Sequence, residues 1–392
     1  MQSVFIELYY ILIALASLKS AKAKKWITGR KSPPKNHNGL NNTTLIHCAS
    51  YGEYEQAYPF IQAYRQNSPD RSILLSFFSP SGYEKIPTPD FVDQKIYLPR
   101  DRKADIHQLL SEFDIQKVFL VKYELWPVLI RESLKNKVEL NLISCRFSRK
   151  HHLFHFAFNR LKKHVQQFKH IFVIDKESKD ILIENGFQNA HHTGDTRFDK
   201  IMLNAQFTPD FDLSSSTVKT ILLGSIWKSD WEVIKPRLVD LSKSYRLIFA
   251  PHEVNKESIA FFEKELKQLS FSYNLWSKTK TPGHHLLVDT IGDLKYLYRF
   301  CDLAYIGGGY GSGLHNILEA MAYQKPCLIG PKFQKFPEVI NAMDKNLAIV
   351  LDENNLEKQI NRLLEVPKKE ISQFILEHTG ASERIIESLK NN

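Results

Sequence analysis

The chain has 392 residues, 43% of them hydrophobic, which suits two ordinary domains better than one. Its formal charge of +10 is uneven, with Lys19, Lys22, Lys24, Lys25, Arg30 and Lys31 crowded near the N-terminus. The four cysteines, Cys48, Cys145, Cys301 and Cys327, are far apart and form no CxxC pair. That spacing speaks against a zinc knuckle and a disulfide scaffold, and fits reduced core thiols in a cytosolic compartment.

The first segment, MQSVFIELYYILIALASL, is nearly all apolar, with Glu7 its one charge. It is short for a spanning helix. Its basic residues follow the apolar run, whereas a signal peptide places them before it. This order predicts an uncleaved anchor or an interfacial helix with its basic flank on the cytoplasmic side. A buried N-terminal helix is the plainer alternative. No nucleic-acid motif follows the basic flank, so nucleic acid is not expected as a partner.

Beyond it, short apolar strands alternate with helices. TTLIHCA reads as a strand and GEYEQAYPFIQAYR as a helix; RSILLSFFS and KVFLVK are strands, and LWPVLIRESLKN is helical. VELNLISC, HIFVID and NAHHTGD continue the series. After a seam at NAQFTPDFDLSSSTVK the pattern restarts with TVKTILLGS, YRLIFAPH, HLLVDT, LAYIGG and PCLIGP. Alternation of this kind predicts parallel sheets covered on both faces. Two Rossmann-like halves facing a cleft are expected, joined near residues 203 to 218, with ligands beyond the carboxyl ends of the strands. The expected division is 1–31 for the anchor and basic flank, 32–205 for the first domain and 206–392 for the second. The closing helix, ERIIESLKNN, is left open to pack back on the first domain.

Two segments carry candidate chemistry. In the second half, strand CDLAYIGGG runs through Gly309-x-Gly311-x-Gly313 into an expected helix, LHNILEAMAYQK. Small residues there would let backbone N–H groups approach a phosphate at a helix N-terminus. On that helix His315 and Glu319 would share a face beside Asn316, and Glu319 would accept ribose hydroxyls. The spacing is not that of a dinucleotide fingerprint, and no Lys-Ser or Lys-Thr follows to make a P-loop. A flexible turn before a capped helix is the plain reading. In the first half, TTLIHCA runs into Ser50-Tyr51-Gly52-Glu53. Gly52 would permit a tight turn, and Glu53 would stand in the first helical turn, as a general base or as an ordinary dipole-complementing carboxylate. Glu124 in VKYELWP is a second carboxylate just beyond a strand.

These pieces, in their order, resemble the 3-deoxy-D-manno-octulosonic acid (Kdo) transferases of the lipid A pathway. GRK at Gly29 follows the apolar segment, and HCASYGEYEQA resembles the family's H-A-x-S-x-G-E. VKYELWP is similar to E-T-E-L-W-P, LISCRFS to N-A-R-L-S, and HTGDTRFDK to V-T-G-N-L-K-F-D. LVDTIGDL is similar to the G-D-T-x-G-E-L region, GGGYGSGLHNILE to G-G-H-N-x-x-E, and GPKFQKFPEV to G-P-x-x-x-N-F-x-E. The chain departs from the pattern at Lys122, Asp195, His252 and Lys335, where the family has Glu, Asn, Arg and Asn.

The resemblance implies an α/β, GT-B glycosyltransferase with the acceptor bound by the first domain and the nucleotide sugar by the second. It implies inverting transfer of Kdo from CMP-Kdo to lipid IVA, a tetraacylated lipid A precursor, with no metal and no further cofactor. Glu53 falls on the family's catalytic base. Ser50, Gly52, Glu124 and Arg146 fall on acceptor-binding or supporting positions. His252, Asp289, Thr290, Gly292, Gly311, Gly313, His315, Asn316, Glu319 and Lys335 fall on donor-binding positions. The expected location is the cytoplasmic face of the cell inner membrane. The alternatives are another inverting GT-B enzyme using a UDP-sugar, and a non-catalytic membrane-associated protein that binds a nucleotide sugar. An NAD-dependent enzyme fits less well, because the glycines lack the later acidic partner.

Overall fold

The computed structural model of the chain describes residues 2–213, 218–279, 285–311 and 313–391. Residues 214–217 of the expected seam, Ser312 of the glycine-rich turn, and the terminal Met1 and Asn392 lie outside the described residues. The chain divides into two units, Met1–Lys200 with Thr379–Asn392, and Ile201–His378.

The first unit is built on a seven-stranded sheet. Its strands are β1 (Thr43–Cys48), β2 (Ile73–Phe77), β3 (Gln94–Tyr97), β4 (Ile115–Val121), β5 (Glu139–Cys145), β6 (His170–Val173) and β7 (Ala190–His192), in the order β3-β2-β1-β4-β5-β6-β7. All neighbours are parallel. Both faces are covered, which is why the strands read as unbroken apolar runs. Side chains alternate between the faces with the strand's period of two: Leu45, Val118 and Leu120 enter one core, and Ile46, Phe119 and Val121 the other.

Three helices of this unit bear on function: α1 (Gln2–Ala16), α2 (Ala21–Thr28) and α3 (Tyr51–Asn67). At 15 residues, α1 is about 22 Å long, against roughly 30 Å of hydrocarbon. No helix among the described residues is long and apolar enough to cross a membrane. The pair is seated on the unit by Tyr10 and Trp26, both buried, with ring centroids 5.6 Å apart. The Asp101 N–H donates to Tyr10 Oη at 2.6 Å, while the Asp101 carboxylate accepts from the N–H groups of Val128 and Leu129. Ile11, Leu12 and Leu15 stay exposed.

The closing helix, Ala381–Lys390, lies on α3, and Ile385 and Ile386 enter the same core as Tyr54, Phe60 and Ile61. The Asp199 carboxylate fixes its start by accepting from Gly380 N, Ser382 N and Ser382 Oγ.

The second unit carries another seven-stranded parallel sheet: β8 (Thr220–Ile226), β9 (Arg246–Pro251), β10 (Tyr273–Leu275), β11 (His285–Leu287), β12 (Leu303–Ile306), β13 (Cys327–Ile329) and β14 (Ala348–Val350). Their order is β10-β11-β9-β8-β12-β13-β14. The boundary between the units falls inside the helix Thr196–Gln206. All four cysteines are buried free thiols.

One expected element differs. The helix expected over LHNILEAMAYQK shrinks to Leu318–Met321. The His315 N–H donates back to Gly307 O at 3.0 Å, which draws residue 315 across the end of β12. Helix starts only after Asn316 Oδ1 accepts from Leu318 N.

Candidate active site

In open α/β sheets the ligand crevice forms where strand order reverses, beyond the carboxyl ends of the strands. In the first unit that point lies between β1 and β4. The residues leaving these two strands are those around Glu53 and Glu124. Ser50 has extended backbone and precedes α3, and its N–H donates to Glu53 Oε2 at 3.0 Å. The Ser-x-x-Glu spacing of a capping box thus fixes the carboxylate at the helix start. Glu53 is half-buried, and its pKa is raised above the ordinary 4.5 by burial and then by the charge of Glu124. Lys122, His47 and a backbone hydrogen bond oppose the shift. Gly52 is exposed and helical rather than a tight turn, and an added Cβ there would meet nothing within 4 Å.

Glu124 precedes the helix Pro127–Lys135 instead of standing in its first turn. The chain turns sharply at Lys122, with φ +61°. Trp126 Nε1 donates to Glu124 Oε2 at 2.9 Å and approaches His47 Nε2 at 3.2 Å. His47, fully buried, has its Nδ1 2.9 Å from Ser76 Oγ. An indole donor at Nε2 requires that nitrogen to accept, so in the neutral ring Nδ1 carries the proton and donates to Ser76. Glu124 lies 3.7 Å from His47 Nε2. His47 and Trp126 were singled out by no spacing rule, although both lie within quoted motifs. Arg146, after β5, is engaged elsewhere: its Nε donates to Asp175 Oδ2 at 3.0 Å and its N–H to Tyr123 Oη.

In the second unit the order reverses between β8 and β12. There the glycines serve packing more than ligand approach. A Cβ on Gly307 would fall 2.2 Å from Ser225 O, and one on Gly309 would fall 2.6 Å from Gly330 Cα. The expected phosphate cradle is largely spent: Gly307 N donates to Gly224 O, and Gly311 N and Gly313 N both donate to Gly308 O. Gly308 N donates to Asp230 Oδ2 at 2.9 Å. Asp230, fully buried, also accepts from Trp227 N and Tyr305 Oη, and so ties the turn to the helix Lys228–Ser244. The four-residue helix after the turn offers no extended dipole, and His315 and Glu319 do not share a helical face, because His315 precedes it.

What the second unit does assemble is a ring stack. His252 stacks on both Trp227 and His315, with centroids 4.2 and 4.3 Å away, while those two rings lie side by side at 6.4 Å and 9° from coplanar. Trp227 Nε1 donates to His315 Nε2 at 3.0 Å, leaving Nδ1–H of the neutral imidazole as a donor. Burial, followed by His252, pushes the His315 pKa down to about 4, so it is neutral at physiological pH. Burial also lowers that of His252. Lys332 Nζ donates to Gly311 O at 3.0 Å. A cavity of about 300 Å³ opens beside Trp227, Ser229 and His252.

The other expected donor positions serve neighbouring loops. Asp289 accepts from Ser277 N and Oγ, Thr290 Oγ1 donates to Asp293 Oδ2, and Gly292 sits at φ +96° where a side chain would be strained. Asn316 caps the short helix, Glu319 is half-buried, and Lys335 is exposed. Among the described residues no group of three or more His, Cys, Asp or Glu side chains is placed to hold a metal ion.

Comparison with known proteins agrees with this architecture. UDP-GlcNAc 2-epimerase from Methanocaldococcus jannaschii superposes with TM-score 0.64 at 15% identity, over 89% of this chain and 100% of that one. The Neisseria meningitidis enzyme, solved with UDP-GlcNAc, gives 0.64 at 14% identity over the same shares. Such low identity speaks to the fold alone, two Rossmann-like units of the GT-B kind. The sequence is more specific. A 3-deoxy-D-manno-octulosonic acid transferase from Haemophilus influenzae is 24% identical over 88% of this chain and 86% of its own length. One from Aquifex aeolicus is 26% identical over 86% and 90%. One from Chlamydophila psittaci is 32% identical over a shorter stretch, 43% of this chain and 41% of its own. The family model described as "3-Deoxy-D-manno-octulosonic-acid transferase (kdotransferase)" matches residues 22–200. Over most of its length the chain thus resembles the 3-deoxy-D-manno-octulosonic acid transferases, and most of its first unit matches that family's model.

Proposed function

We propose that this protein is an inverting glycosyltransferase that moves Kdo from CMP-Kdo to lipid IVA in lipopolysaccharide synthesis. The observation that carries the reading is Glu53: a half-buried carboxylate with a raised pKa, held by Ser50 N–H at the β1/β4 reversal point. A raised pKa makes a carboxylate a better base. In the proposed reaction Glu53 takes the proton from an acceptor hydroxyl as its oxygen bonds to the Kdo anomeric carbon. The bond from that carbon to the CMP phosphate breaks on the opposite face, and the phosphate keeps the electron pair. His315 Nδ1–H, His252 and Lys332 are the proposed second-unit donors to the nucleotide sugar. No metal is invoked.

The N-terminal segment supports attachment at the cytoplasmic face of the inner membrane by lying on it. In α1 one side is buried through Tyr10 while Ile11, Leu12 and Leu15 are exposed, and basic residues follow. That is the pattern of an interfacial helix. Mass analysis of products from the full chain, lipid IVA and CMP-Kdo tests the reading. A mass gain of one or more Kdo units is expected, with UDP-sugars inert. Transfer from a UDP-sugar and none from CMP-Kdo would overturn it.

A further inference from the structure

Away from Glu53, the first unit contains a cavity of about 510 Å³ between the segment after α2 and the edge strand β3. Six cationic side chains line it, Arg30, Lys31, Lys35, Lys95, Arg100 and Arg102, against the single carboxylate of Asp105. Such a lining gives the cavity a positive potential that favours an anion.

Arg30, the most buried of these cations, is fixed without a carboxylate partner among the described residues, whereas Lys95 has Glu84 nearby. Arg30, 8% exposed, donates only to backbone carbonyls: Nε to Leu98 O at 2.7 Å, and the terminal nitrogens to Trp26, Phe77 and Phe78. Its guanidinium lies 4.1 Å from the Trp26 ring and 4.8 Å from Tyr97. Burial lowers its pKa to about 9, with Arg100 adding to the fall. Lys95 Nζ likewise donates to the carbonyls of Tyr83 and Ile86, and burial lowers its pKa too. Arg100 keeps a buried Nε–H that has no hydrogen-bond partner among the described residues. A buried donor of this kind is open to an oxygen acceptor entering the cavity.

We propose that this cavity is a binding site for a phosphomonoester, taken up through Arg100, Arg102, Lys31 and Lys35 on a floor set by Arg30 and Lys95. A dianionic phosphate suits such a charge density better than a monoanion. Arginine also meets phosphate oxygens in a planar fork. The volume exceeds that of a bare phosphate and admits a sugar-sized substituent. The site stands on its own charges and would hold whichever sugar the enzyme transfers.

The test is calorimetric titration of the full chain with glucose 1-phosphate and with inorganic phosphate, using glucose as control. Flotation with phosphatidylcholine vesicles, with and without 25% phosphatidic acid, runs beside it as the lipid-borne source of the same group. The double variants Arg100→Gln/Arg102→Gln and Lys31→Gln/Lys35→Gln are compared with the parent after far-UV and melting checks; the second pair lies at exposed positions, where folding is not at risk. Saturable phosphate binding that weakens at least about tenfold in either double variant supports a soluble source. Loss confined to phosphatidic acid vesicles supports a lipid source. Binding in neither arm, or binding that both double variants leave unchanged, overturns the proposal.

Discussion

Trp126 Nε1 donates to Glu124 Oε2 at 2.9 Å. The same N–H lies 3.2 Å from His47 Nε2, so one indole ties β4's trailing carboxylate to a buried histidine of β1. Glu124 in turn acts on Glu53, whose pKa it raises. The acid limb of the kcat/KM profile should therefore lie above pH 4.5, with activity lost as pH falls and Glu53 takes a proton. Removing the neighbouring charge lowers the pKa of Glu53. Glu124→Gln is accordingly expected to move the acid limb of its residual activity to lower pH. An acid limb that stays in place would disconnect the two carboxylates.

Trp126→Phe keeps the ring but deletes the shared donor. A hydrogen bond to a charged group contributes roughly 1.5–3 kcal/mol, so a fall in kcat of about 10- to 150-fold is expected. The ring also packs at a tilt against Phe78, with centroids 4.8 Å apart, and phenylalanine preserves that contact in kind. An unchanged melting temperature together with the lost turnover would mark Trp126 as a positioning residue. Parental turnover in the variant would rule that role out.

In the second unit the matching test is Asp230→Ala. It strands Trp227 N, Gly308 N and Tyr305 Oη in the interior. Unmet buried polar groups cost about 1–3 kcal/mol each, so destabilisation of about 3 kcal/mol or more is expected. Chemical denaturation measures it. CMP affinity, followed by calorimetry on whatever remains folded, is expected to fall because the glycine turn loses its tether to the helix Lys228–Ser244.

Ile385→Ala probes the closing helix. Ile385 is fully buried beneath α3, and such truncations cost about 2–5 kcal/mol. A stability loss below about 1 kcal/mol in urea titration would mean that the closing helix contributes little to the first unit.

Much of this was legible in the sequence because it is local. Apolar runs such as TTLIHC and KVFLV form strands where expected, and Ser50-x-x-Glu53 announces a capped helix whose third residue is the candidate base. The less legible features are long-range or depend on backbone closure. Asp230 and Gly308 are 78 residues apart, and Trp227 and His315 are 88 apart, so no spacing rule joins them. The helix expected from Leu314 had good propensity, but the hydrogen bond from His315 N to Gly307 O overrides it. The same closure consumes the glycine N–H groups that composition had offered to a phosphate. The N-terminal segment reads as an anchor by hydropathy, yet Tyr10 and Trp26 seat it on the first unit, a contact that depends on Asp101 far along the chain.

The central claim is that Glu53 is the general base, and turnover of Glu53→Gln tests it most directly. Glutamine retains the size of the side chain and an oxygen for the Ser50 N–H, but removes the basicity. At saturating CMP-Kdo and lipid IVA, the account predicts a fall in kcat of roughly 100- to 10,000-fold, with CMP affinity and melting temperature close to those of the parent. Near-parental turnover in a folded variant would contradict it, and would reduce Glu53 to a helix cap.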